Sequence, residues 1–155
     1  MEELRYSATM SRILRDSGYP GMKIMEFAFD PREAGNYLPH TYTNHCVAYT
    51  GTHDNNTLYA WFDELSDEAI TFAEEYMGNH GHTKEEKVWD VIRLTLACVA
   101  DLAVIPMQDY LCLGAEGRIN KPSTLGNNWT WRMAPGAFTD ALAERIGYLT
   151  NIFGR

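Results

Sequence analysis

Three short apolar runs, set among segments of helical periodicity, place the strongest limit on what this chain can form. The runs are MKIMEFAFD (22–30), CVAYT (46–50) and LAVIP (102–106). Lys23 and Glu26 interrupt the first, and Pro31 ends it because proline cannot donate to a ladder. Met10, Ile13 and Leu14 sit at helical spacing between Ser7 and Ser17, and Gly18-Tyr19-Pro20-Gly21 stops that helix. A second helix is expected from Asn55 or Asn56 through Leu65, with Leu58, Trp61, Phe62 and Leu65 on one face. Ser66 caps a third over 67–77, closed by Gly78. Thr83 and Glu86 form the capping box of a fourth, in which Val88, Ile92, Leu96 and Val99 repeat. A last helix spans about 138–152, with Leu142, Ile146, Leu149 and Ile152 as its apolar positions. Strands alternating with helices imply a parallel α/β sheet. Three strands cannot close a barrel of eight, which takes about 250 residues. The 155 residues therefore make either a small open sheet or part of a (β/α)-barrel.

The charge balance narrows the partners. There are 21 Asp+Glu against 13 Lys+Arg, a formal net charge of -8, and no basic run. A nucleic-acid backbone or an anionic membrane surface is repelled by that balance. No apolar stretch approaches the roughly 18–20 residues that span a bilayer. The segment MEELRYSATM lacks the apolar region of a signal peptide, so the expected compartment is the cytoplasm. Cys46, Cys98 and Cys112 lie in apolar segments at no zinc or disulfide spacing, and read as buried free thiols.

The stretch YTGTHDNNT (49–57) carries the clearest chemical signal. A strand delivers His53 and Asp54 to its C-terminal end, the end that lines the active site in a (β/α)-barrel. A helix beginning at Asn55 or Asn56 would favour an ionised Asp54 through its dipole and free N–H groups. Such a carboxylate suits the binding of hydroxyls or the facing of a positive transition state, and His53 can donate to a substrate hydroxyl. The alternative is that Asp54 only caps the helix and His53 packs. Metal binding competes, but adjacent strand residues point to opposite faces, and His40, His45, His80 and His82 have no ligand spacing. The third run leads likewise into Gln108-Asp109. After it comes a long segment rich in Gly, Asn and Pro (114–136), a composition that in a compact protein points to function. Within it, Asn127-Asn128-Trp129-Thr130-Trp131-Arg132 combines amides, two indoles and a guanidinium, a plausible saccharide surface. Drawn out straight, Trp129 and Trp131 would share one face; Trp131 is expected to anchor the loop in the core.

Four segments, YPGMKIMEFAFD (19–30), YTGTHDNNT (49–57), IPMQDYLCLGAEGRIN (105–120) and NNWTWR (127–132), make the chain resemble the C-terminal part of the 4-alpha-glucanotransferases, the amylomaltase or disproportionating-enzyme family. With the connecting helices the resemblance covers nearly all of 1–155 as one segment of the catalytic domain. It implies a (β/α)8 barrel, here its sixth to eighth strands and therefore incomplete alone. It implies retaining transfer of alpha-1,4-glucan segments between maltooligosaccharides, with no cofactor. The family uses a nucleophilic Asp, an acid/base Glu and a second Asp that stabilises the transition state. Asp54 matches the last, with His53 as its sugar-binding neighbour; Asn128 and Trp129 are expected to shape the cleft, and Phe27 and Phe29 to contribute an aromatic wall unless one of the two packs in the strand core. The nucleophile belongs to a strand upstream of these residues. The family's Glu-Asp-Leu-Gly stretch corresponds to Met1-Glu2-Glu3-Leu4-Arg5, where Glu2 takes the acid/base place only with a one-residue gap and Met1 takes it without one. The acid/base role is not assigned to Glu2. A partial barrel also exposes strand edges, which favours self-association. A non-catalytic glucan-binding module, or a subunit that completes a barrel, is the other reading. Hydrolytic amylases share an HD pair, but PGMK and NNWTWR are not their pattern.

Overall fold

The structure, a computed structural model, describes residues 12–14, 16–30 and 37–155. Strands β1 (Gly21–Ile24), β2 (Cys46–Tyr49) and β3 (Leu102–Val104) form one parallel sheet in the order β1-β2-β3. Helices α1 (Leu58–Glu64), α2 (Asp67–Met77) and α3 (Lys84–Ala97) connect β2 to β3. After β3 come the short α4 (Met107–Tyr110) and the last helix α5 (Asp140–Ile152). The parallel α/β arrangement expected from the alternation is thus present. The helix expected over 7–17 falls largely outside the described residues.

Register decides which face of the sheet is covered. Met22 pairs with Val47 and Val47 with Leu102; Ile24 pairs with Tyr49 and Tyr49 with Val104. Because side chains alternate along a strand, these residues share one face, and Cys46 and Ala48 share the other. Cys46 and Ala48 are buried in the core with Met25, Phe29, Leu58, Trp61, Val88, Ile92 and Leu96. On the opposite face Met22, Leu102 and Val104 are exposed.

The helix ends follow the sequence signals. Thr57, Ser66 and Thr83 each accept a backbone N–H three residues on, and the Glu86 carboxylate returns to the Thr83 N–H at 2.7 Å. Gly78 closes α2 in the left-handed conformation, φ 66°. The Arg155 guanidinium donates to the Leu96, Cys98 and Ala100 carbonyls, satisfying acceptors that the end of α3 leaves free.

Four expectations are corrected. The first apolar run does not stay extended to residue 30: pairing stops at Ile24, and Met25–Phe27 wind into a 3-10 turn. The Glu26 N–H is drawn onto the Thr50 carbonyl at 3.2 Å, and the Ala28 N–H folds back onto Met25. Helix α1 begins at Leu58 rather than at Asn55 or Asn56. Asn55 Oδ1 accepts from the Thr52 backbone and hydroxyl, and Asn56 Oδ1 accepts from the Thr57 N–H, so both side chains hold a turn that competes with the helix. Val99 lies beyond the end of α3 and is exposed, as is Ile152. Of the cysteines, all three free, only Cys46 is buried.

The 3-10 turn separates two phenylalanines that a single strand would treat alike. Phe29 is 0% exposed, with Trp61 at 6.2 Å and Tyr76 at 5.8 Å between ring centroids, whereas Phe27 is 39% exposed. Phe29→Ala should therefore cost about 3–5 kcal/mol in urea unfolding, and Phe27→Ala less than about 1 kcal/mol. Equal losses would show that the two side chains share one environment.

Candidate functional site

The three strands end together, and the segments leaving them form one wall. Asp109, in α4 just beyond β3, is 2% exposed. Its Oδ2 accepts from Thr50 Oγ1 at 2.6 Å and its Oδ1 from the Leu58 N–H at 2.8 Å. This one carboxylate joins the end of β2 to the first turn of α1. The anion at the start of that helix is therefore Asp109, not Asp54 as the sequence suggested, because α1 starts too late for Asp54 to reach it.

His53 and Asp54 occupy the tight turn between those two anchors. Both are about half exposed, and His53 Nε2 lies 3.3 Å from Asp54 Oδ1. The long loop closes on the turn. Asn120 Nδ2 donates to Asp54 Oδ1 at 2.6 Å, the Asn120 N–H to the His53 carbonyl at 3.0 Å, and Arg118 Nη2 to the Asp54 carbonyl at 2.6 Å. Arg118 Nε also donates to the Asn120 carbonyl at 2.9 Å, so the two clamps brace each other.

A cleft of about 650 Å³ opens beside this turn, lined among others by Glu26, Phe27, Asp30, Asp54, Asn55 and Arg118. Asp54 and Phe27 are thus brought to one cavity. Trp129 is 57% exposed and lies against His53, ring centroids 5.0 Å apart. Asn127 and Trp129 have left-handed backbone, φ 54° and 64°, so the segment is not extended and its side chains do not alternate. Asn128 instead closes its own loop: its Oδ1 accepts from the Lys121 N–H, and its Nδ2 lies 3.2 Å from both the carbonyl and the hydroxyl oxygen of Thr124. Trp131 is half-buried but stands outside the core cluster, contrary to the expected anchor, and Arg132 turns back onto the Trp129 and Trp131 carbonyls. Met1 and Glu2 lie outside the described residues.

Sequence reasoning missed the roles of Glu26, Asp109, Arg118 and Asn120. Glu26 had a visible signal, a carboxylate inside an apolar run, and the structure buries it to 6% exposure. Burial raises its pKa from 4.5 to about 9, with the neighbouring Asp109 charge adding to the rise and the Asn55 hydrogen bond opposing it. Burial also lifts Asp109 from 3.8 to about 6, against the Thr50 and Leu58 hydrogen bonds that favour its anion. Among the described residues no group of three or more His, Cys, Asp or Glu is gathered to hold a metal, and no helix is long and apolar enough to cross a membrane.

A parallel sheet whose strand ends carry a clamped HD turn beside a polar cleft matches the C-terminal strand ends at which α/β barrels place their sites. Comparison with known proteins identifies which. The family model described as 4-alpha-glucanotransferase matches residues 5–139, and the chain belongs to that family. It is 50% identical over 141 residues to the 4-alpha-glucanotransferase of Clostridium butyricum, covering 90% of this chain and 28% of that protein. The Thermus thermophilus 4-alpha-glucanotransferase is 41% identical over 139 residues, 86% of this chain and 28% of the relative. Among solved structures, the amylomaltase from Streptococcus agalactiae in complex with acarbose superposes with a TM-score of 0.87 at 37% identity, covering 95% of this chain and 30% of that one. The chain thus spans less than a third of the length of these relatives.

The two raised carboxylates make stability fall with rising pH. Each binds its proton more tightly folded than unfolded, so its contribution is complete below the unfolded pKa and is lost as pH rises through the folded one. Asp109 acts between 3.8 and about 6, and Glu26 between 4.5 and about 9. The melting temperature, followed by circular dichroism, should decline across this range, and Glu26→Gln should flatten the decline above about pH 6. An unchanged slope in that variant would mean that Glu26 does not titrate out of register with the unfolded chain.

Proposed function

We propose that residues 1–155 are the C-terminal segment of a 4-alpha-glucanotransferase barrel, contributing the sixth to eighth strands and the carboxylate that stabilises the transition state. The reading rests on one observation: Asp54 is clamped by Asn120 and Arg118 at the wall of a cleft, next to the His53–Trp129 pair. Retaining transfer of an alpha-1,4-glucan passes through an oxocarbenium-like state flanked by carboxyls. The Asp54 side chain, held by its Oδ1, faces the developing positive charge and accepts from hydroxyls of the reacting sugar. His53 donates to a neighbouring hydroxyl, while Trp129 and Phe27 offer apolar ring faces to adjoining sugars. Asn128 acts at one remove, by shaping the loop that carries Trp129. No cofactor enters, because carboxylates do the activation.

Retaining chemistry needs a nucleophile and an acid/base roughly 5–5.5 Å apart, and Asp54 fills neither role. By itself the segment therefore transfers no glucan. It acts once the remaining strands cover the exposed face of Met22, Leu102 and Val104, whether these come from the same polypeptide or from a partner; without them that face favours self-association. A cytoplasmic setting belongs to this reading, although relatives from plants are named chloroplastic/amyloplastic.

The test is a chimera in which residues 1–155 replace the matching region of the Clostridium butyricum relative. The isolated chain should release no glucose from maltotriose and the chimera should redistribute chain lengths; turnover by the pure isolated chain would sink the proposal. In the chimera, Asp54→Asn keeps shape but removes charge, so kcat should drop about a hundredfold or more with little change in binding. Near-normal turnover would make the HD turn purely structural. Trp129→Ala should weaken maltooligosaccharide binding while costing less than about 1 kcal/mol of stability; the opposite pattern would assign the indole to packing.

A further inference from the structure

Glu26 takes no part in the chemistry above, yet it sits under the turn that carries Asp54. Its Oε2 accepts from Asn55 Nδ2 at 2.9 Å, while its buried Oε1 has no hydrogen-bond partner. Asn55 is the hub of the turn. Its Oδ1 accepts from the Thr52 N–H at 3.0 Å and from Thr52 Oγ1 at 2.7 Å, and Thr52 Oγ1 in turn accepts from the Asp54 N–H at 3.3 Å. These bonds work in one orientation of the amide only. Flipped, Asn55 would set its NH2 against the Thr52 N–H, and its oxygen against Glu26. An acceptor at position 26 selects the productive orientation.

The backbone makes room for this arrangement. A Cβ on Gly51 would lie 2.6 Å from Glu26 Oε1 and 3.2 Å from Asn55 Cβ. Gly51 has no left-handed backbone to explain it, so the absent side chain serves the seating of Glu26.

We propose that Glu26 is a positioning residue for Asp54: through the Asn55 amide it fixes the Thr52–Asn55 turn, and Gly51 provides the space in which it does so. This rests on the role given to Asp54 above. Burial raises the Glu26 pKa, and in the neutral form Oε2 still accepts from Asn55 as the carbonyl oxygen when the proton sits on Oε1.

The experiment compares Glu26→Met, Glu26→Gln and Gly51→Ala in the chimera, with thermal melts to establish folding. Met fills the space but cannot accept, so kcat should fall about tenfold to a hundredfold while KM for maltotriose changes less than about threefold. Gln keeps the acceptor and should recover most of the lost kcat. Gly51→Ala displaces Glu26 without altering a polar group and should reproduce the loss seen with Met. A folded Glu26→Met with normal kcat, a Glu26→Gln as poor as Met, or a Gly51→Ala with normal kcat would each overturn the proposal. An inactive unmutated chimera would instead count against the glucanotransferase reading. The Asn55 coupling is then read directly in the 15N-labelled 155-residue chain. The Asn55 side-chain NH2 should be protected from exchange in the unmutated chain and Glu26→Gln, and lose protection in Glu26→Met and Gly51→Ala. Equal protection in every variant would overturn the proposal independently of activity.

Discussion

The site depends on a buried carboxylate bridging two backbone elements. Asp109 holds the Thr50 hydroxyl and the Leu58 N–H at once, so the end of β2 and the start of α1 cannot separate. An amide in its place would offer one acceptor where two are needed. Burying the anion is costly, which is why its pKa is lifted to about 6, but two short hydrogen bonds and the positive end of α1 offset part of that cost. With both ends tied, residues 51–57 form a loop with little freedom left. Asp54 acquires its direction from this closure together with the local Thr52–Asn55 turn.

Within that closed loop, acidic groups divide by burial. Glu26 and Asp109 lie beneath the surface, each satisfying turn or helix backbone directly or through Asn55, whereas Asp54 stays half exposed at the cleft wall. Two carboxylates at the floor would repel an ionised neighbour if both were charged. Burial and the Asp109 charge hold Glu26 toward its neutral form, Asp109 is partnered by Thr50 and Leu58, and Asp54 is the half-exposed carboxyl at the cleft wall. From above, the long loop adds donors only: Arg118 to the Asp54 carbonyl and Asn120 to its carboxylate. The Arg118 bond is charge-assisted, and both bonds are short, at 2.6 Å.

What could be read from the sequence was what local physics decides. The Ser66 cap, the Gly78 stop and the Thr83–Glu86 box reappear because each involves residues within a turn of one another. The short quoted segments sufficed to recognise the family because the residues clustered at strand ends are also contiguous in the chain. Long-range partners were invisible. That α1 would start at Leu58 depends on Asp109, more than fifty residues away in sequence, and on Asn55 preferring Thr52 to the helix. Asn128 looked like a ligand donor because its amide is generic, but the left-handed residues on either side turn it inward onto Thr124. Glu26 was counted as an interruption of a strand; only the 3-10 turn gives it a destination.

The sheet explains why a chain of this size holds together while leaving one face uncovered. Its helix-covered face closes a real core: Ala48, Leu58, Val88 and Ile92 are fully buried, so α1 and α3 need nothing further to pack. The opposite face, with Met22, Leu102 and Val104 toward solvent, has the composition of a surface that expects a partner. In a barrel that face points inward, where side chains from all strands fill the interior in layers. The HD turn sits at the strand ends, held by closure through Asp109 together with the Thr52–Asn55 bonds and the Arg118 and Asn120 clamps. The turn is therefore held from the helix-covered side of the three strands, and the opposite side is left free to pack against further structure.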